Sequence, residues 1–138
     1  MSSSDSLSPE VLELLERQGP ETRIAVVGAS NNPEKYGNII VRNLAGKGYT
    51  VLPINPKEET IAGLPAYKSL AEAPLPIDIV TMVTPPPVTR KVLEQVAELG
   101  LGHVWLQDGS FDEEVLAYAR QAPFHTVHHA CIMVVSNY

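Results

Sequence analysis

The chain has 138 residues, 44% of them hydrophobic and 19% charged, with a mean hydropathy near zero. That is room for one core and one domain of an ordinary globular protein, and no apolar run is long enough to span a bilayer. A net charge of −6 argues against general nucleic-acid binding, since a phosphate backbone rewards clustered Lys and Arg, and one cysteine excludes an internal disulfide.

The opening MSSSDSLS lacks the basic and apolar regions of a secretory signal, so a cytoplasmic setting is expected by default. SPEVLELLERQ (8–18) begins with a capping serine and a proline at the first helical position, and Val11, Leu12, Leu14 and Leu15 fall on one side. It predicts a helix docked outside the main fold, ended by Gly19 and Pro20.

Short β-rich apolar runs and helical stretches then alternate. Strands are predicted at 23–29, 49–55, 77–83, 102–107 and 124–129, and helices at 37–48, 86–100 and 112–122. The piece after the second strand, IAGLPAYKSLAEAPLP, reads as an irregular connection with one helical turn. This pattern predicts an α/β, Rossmann-like, doubly wound parallel five-stranded sheet with helices on both faces, strand order 3-2-1-4-5 and an extra N-terminal helix. A single domain over 1–138 follows, with tail and helix in 1–20 and the core in 23–135.

Ligands in such sheets lie beyond the carboxyl ends of the strands. The first strand runs into GASNNPEKYGN, whose glycines, Gly28 and Gly37, are too widely spaced for G-x-G-x-x-G. Gly28, Ala29, Ser30 and Asn31 are small or hydrogen-bonding, and a following helix offers free N–H groups to a phosphate. A tight strand-to-helix turn that holds nothing would look the same from this loop alone.

Residues 23–57 carry five basic side chains, among them Lys35, against one acid. The second strand ends Pro53, Ile54, Asn55, Pro56, Lys57, with a lysine where an NAD site usually places an acid for the ribose. This turns the site toward an extra phosphate, that of NADP or the 3′-phosphate of coenzyme A. The third strand ends in Thr84, Pro85, Pro86 and Pro87, a stiff lip beside such a ligand or a rigid cap for the next helix.

Taken together, GASNNPEKYGN, GYTVLPINPKEETIAGLPAYKSL, PIDIVTMVTPPPVTRKVLEQV, GHVWLQDGSF and ACIMV resemble, in order and spacing, the small stand-alone CoA-binding proteins. These in turn look like the CoA-binding domain of the succinyl-CoA synthetase α subunit. The resemblance spans about residues 10–135. It implies CoA or an acyl-CoA held with its phosphates at Gly28–Asn31, a cation from Lys57 with Lys35 behind it, and Thr84–Pro86 against the ligand. It also leaves room for a partner enzyme or a homo-oligomer.

A catalytic role is not evident. Cys131 beside His128 and His129 has no third orienting group, and His103, His125, His128 and His129 lack metal-ligand spacing, so no metal is expected. Trp105 reads as core, whereas Gln107, at the carboxyl edge, is a candidate to face the ligand for which a structural role is the stronger reading. An NADP-dependent oxidoreductase or redox sensor on the same fold is the alternative, although no hydride-transfer constellation is visible.

Overall fold

A computed structural model describes residues 7–137. The expectations for residues 1–6 lie outside the described residues. The elements, in chain order, are α1 (Pro9–Glu16), β1 (Arg23–Val27), α2 (Tyr36–Gly46), β2 (Thr50–Ile54), β3 (Thr60–Ile61) and β4 (Leu64–Pro65). After a 3-10 turn at Leu70–Glu72 come β5 (Ile79–Met82), α3 (Pro86–Leu99), β6 (His103–Leu106), α4 (Glu113–Gln121), β7 (His125–His128) and α5 (Ile132–Val135).

The main sheet is parallel throughout, so the fold is the α/β Rossmann-like type read from the sequence. Its order is β2-β1-β5-β6-β7, which for the five principal strands is 2-1-3-4-5 and corrects the expected 3-2-1-4-5. The cause is visible at Pro53. Ile54 O accepts from Gly28 N on the side of β1, so the backbone of Pro53 points to the opposite side. There Tyr67 N donates to Pro53 O and Asn55 N donates to Tyr67 O, both at 2.9 Å. Proline has no N–H for a ladder and is confined to edges, so β2 closes the sheet rather than lying inside it. The chain then returns across the sheet and sets β5 against the free side of β1, pairing Val26 with Thr81.

Every residue of β1 but the first is buried, because both faces of the sheet are covered. On one face Ile24, Val26, Ile79 and Trp105 pack against Ile40, Val41 and Leu44 of α2. On the other, Ala25, Val27, Val80 and Met82 meet Leu70, Leu93, Val96 and Val115. The β1–β2 and β2–β5 connections therefore use opposite faces, as right-handed crossovers in opposite directions require.

Helix α1 is capped as read: Ser8 Oγ accepts from Val11 N at 3.2 Å and Pro9 opens the helix. It is not peripheral, however. Val11 and Leu15 are fully buried in the α2-side core, and Tyr49 Oη donates to Leu15 O. Each buried side chain of this size contributes about 1.5–3 kcal/mol. The short α5 was not foreseen. Ile132 is buried at its start, and the Lys47 ammonium donates to Met133 O (2.6 Å) and Ser136 Oγ (2.9 Å) at its end, where helix carbonyls lack partners. Among the described residues no helix is long and apolar enough to cross a membrane.

Candidate functional site

The reversal of strand order falls between β1 and β5, which places the loops after these strands side by side. Gly28, directly after β1, has φ +96°, and a methyl there would come within 3.0 Å of Thr84 Cγ2 and 3.1 Å of Val83 C. Only glycine accepts both the left-handed backbone and the neighbour. The late glycine answers to the same point in space: a methyl at Gly37, in the first turn of α2, would overlap the Gly28 carbonyl oxygen. Close approach of helix and strand, normally secured within one tight motif, is here secured by residues nine positions apart.

Between the glycines the loop is organised by side-chain amides. Asn55 Nδ2 donates to Ala29 O (2.8 Å), and Asn38 Nδ2 donates to Ser30 O (2.9 Å). Two carbonyls that would repel an anion are thereby occupied. Ser30 Oγ accepts from Asn32 N and Asn32 Oδ1 from Glu34 N, both at 3.0 Å, which turns the chain into the helix. Lys35 is the N-cap of α2 and supplies no side-chain cap, so the N–H groups of Tyr36 and Gly37 have no intrahelical acceptor.

The facing helix α3 behaves differently. Pro86 and Pro87 have no N–H, and Val88 N and Thr89 N both donate to Pro85 O at 3.0 Å. The proline lip thus strips that helix start of donors and leaves the start of α2 as the end with free N–H groups at this edge.

Two cavities adjoin here, sharing Gly28, Asn55 and Thr84. The first is lined also by Ala29, Ser30, Lys35, Tyr36, Gly37 and Pro85, and forms a cradle at the start of α2. The second adds Pro56 and extends toward the 3-10 turn and α3. Eight of the twelve residues singled out in the sequence therefore line the two cavities: Gly28, Ala29, Ser30, Lys35, Asn55, Pro56, Thr84 and Pro85.

The other four line neither. Asn31 donates from Nδ2 to Thr60 O (2.8 Å) and Glu58 Oε2 (3.1 Å), pinning the β3–β4 ribbon to the loop. Pro53 is buried in β2 and Pro86 is the first residue of α3. Lys57 is exposed in the turn after β2, where its N–H donates to Asn55 Oδ1 (2.8 Å).

The basic excess is likewise largely structural. Arg23 donates to Pro76 O and Pro74 O, Arg42 to Asn38 Oδ1 and Pro33 O, and Lys47 to α5. That leaves Lys35 as the cation lining the cradle.

Sequence reasoning passed over Tyr36 and Gly37 in the cradle and Lys68, Ser69, Val88, Val92 and Gln95 in the second cavity. The unexplained spacing of Gly37 was the one available signal. Lys68 carries none, since its position depends on how Tyr67 bridges the edge of β2.

Tyr36 also links the cradle to Cys131. The Cys131 thiol lies 3.8 Å from Tyr36 Oη and 3.6 Å from Gln107 Nε2. Burial pushes the thiol up, but the hydrogen bonds from Gln107, from the backbone at Met133 and from Tyr36 outweigh it and hold the group below its ordinary value. The same contact raises the Tyr36 phenol above its ordinary value. Gln107 lines neither cavity: it is buried, with Oε1 accepting from Ile132 N (3.0 Å) and Nε2 directed at Cys131. Trp105 is fully buried and donates to Ala130 O (2.8 Å), in keeping with a core role. Among the described residues no group of three His, Cys, Asp or Glu side chains is placed to hold a metal.

A parallel sheet with a glycine turn and an uncapped helix start at its switch point is a Rossmann-like domain. More specifically, the chain belongs to the CoA binding domain family, whose model matches residues 22–137. It is 30% identical over 125 residues to the uncharacterised protein YneT of Bacillus subtilis, covering 91% of this chain and 90% of that one. It is also 37% identical over 91 residues to the acetate–CoA ligase [ADP-forming] II subunit alpha of Pyrococcus furiosus, which spans 65% of this chain but 20% of the ligase subunit. A solved structure of a conserved hypothetical protein from Pyrococcus furiosus superposes with a TM-score of 0.79 at 42% identity, covering 82% of this chain and 97% of its own.

Proposed function

We propose that this protein binds coenzyme A or an acyl-CoA in the cytoplasm, with the diphosphate of the ligand in the cradle at the start of α2. The observation that carries the reading is the pairing of two unoccupied helix N–H groups, on Tyr36 and Gly37, with a loop whose carbonyls at Ala29 and Ser30 are tied back by asparagine amides. Lys35 adds a full positive charge beside them. Membership of the CoA binding domain family supports CoA over other anions.

The ligand needs no catalytic group from this chain, and the role that fits is holding or sensing CoA. A second reading, in which the domain lends its site to a partner enzyme, is favoured by the likeness to an α subunit of an ADP-forming acetate–CoA ligase. Calorimetric titration with CoA, NADP and NAD tests the first: saturable binding of CoA well above both dinucleotides is expected, and preference for NADP would reverse the assignment. Co-purification of a ligase-type subunit from cell extract, dependent on intact surface loops, would support the second.

A further inference from the structure

We infer that Arg42, which lines neither cavity, is a positioning residue for the cradle: it fixes the side-chain amide of Asn38 in the one orientation that ties back the Ser30 carbonyl. The inference rests on the CoA reading and deepens it. Arg42 stands one turn after Asn38 on α2, so the two side chains share a helix face. Arg42 Nε donates to Asn38 Oδ1 at 2.6 Å, and Asn38 is only 4% exposed. A guanidinium carries donors and no acceptor, so the amide oxygen must face it and Nδ2 is left for Ser30 O. The reversed amide would set its NH2 against the guanidinium and its oxygen against the Ser30 carbonyl, two unmade hydrogen bonds in a buried place.

The second contact of Arg42 falls on the same loop. Its Nη2 donates to Pro33 O at 3.3 Å, so one side chain holds the loop at Pro33 directly and at Ser30 through Asn38. The stretch between is the one that Ser30 Oγ and Asn32 Oδ1 turn toward the start of α2, where Lys35 and the free N–H groups stand. Asn55 makes the contrast. It ties back Ala29 O in the same way, but its own Oδ1 is held by the Lys57 N–H, which belongs to the main chain. One carbonyl is therefore screened by a lock built into the backbone, and the other by a lock that depends on one exposed side chain. Arg42 forms no ion pair among the described residues, so no carboxylate draws its donors away from the loop.

Calorimetric titration with CoA tests this on the wild type, Arg42→Met, Arg42→Lys, Asn38→Leu and the double variant carrying Arg42→Met and Asn38→Leu, beside NMR spectra of the side-chain amides without ligand. Arg42→Met and Asn38→Leu should each weaken CoA by about threefold to tenfold, the size of one net hydrogen bond, and the double variant no further, because both act through the same contact. Arg42→Lys returns one donor and should recover part of the loss. In Arg42→Met the Asn38 side-chain amide signals are expected to shift and to exchange faster with water, with those of Asn55 unmoved. Losses that multiply in the double variant would show Arg42 acting by its charge and not through Asn38, and so overturn the assignment. Full CoA affinity or unmoved Asn38 signals in Arg42→Met would overturn it too, and both of these readouts stand even if Asn38→Leu fails to fold. Absence of CoA binding to the wild type instead overturns the CoA reading, and the amide spectra then judge the Arg42–Asn38 lock by themselves.

Discussion

Gly37 sits nine residues after Gly28, and the structure explains the interval: a side chain there meets the Gly28 carbonyl across the strand-to-helix contact. Gly37→Ala forces two backbone segments apart and is expected to cost about 1–3 kcal/mol, as overpacking does, read as a lower midpoint in chemical denaturation at unchanged m. An unaltered midpoint would mean the contact is looser than described. The thiol of Cys131 offers a second test. Because its hydrogen bonds favour the thiolate, its alkylation rate should rise at lower pH than for an unhindered cysteine, and Gln107→Leu should move that rise upward in pH. A profile that Gln107→Leu does not move would remove Gln107 from the control of this group.

Among the elements, α5 and α1 depend on single side chains brought from elsewhere. Lys47 is held partly out of water, which lowers its pKa, yet two of its donors answer a carbonyl and a hydroxyl oxygen at the end of α5. Lys47→Met keeps the aliphatic stem and removes the donors, so faster amide exchange is expected in 132–136 with α2 unaffected. At the other end of the sheet, His103 contacts Glu10 of α1 at 3.7 Å. Its pKa is lowered from 6.5, first by burial and then by His125, against weaker opposing pulls from Glu10 and Asp78. The unfolded chain therefore binds the proton more readily, and stability must fall as pH drops through and below 6.5. His103→Gln should flatten the stability slope between about pH 7 and 5 relative to wild type; parallel slopes would show that His103 contributes nothing to it.

At the scale of the whole molecule, alternation of strand and helix made the Rossmann-like class readable, because parallel strands buried on both faces give continuous apolar runs. The strand order was not read, although Pro53 held the information: a proline in β2 already argues for an edge. Helix α5 escaped because four residues carry no period, and its existence depends on Lys47 and Gln107 from distant parts of the chain. The first loop and the proline lip were legible as site residues since local turn chemistry fixes them. Lys68 and Gln95 were not, since the sheet edge and the third turn of α3 bring them to one wall only after folding.

The most direct test of the cradle is an amide proton–nitrogen NMR titration with CoA. The largest shifts are expected at Ala29, Ser30, Tyr36 and Gly37, the amides that surround the bound phosphates, with α4 unmoved. Saturable CoA binding that left these four amides in place and moved others would contradict the phosphate site at the start of α2.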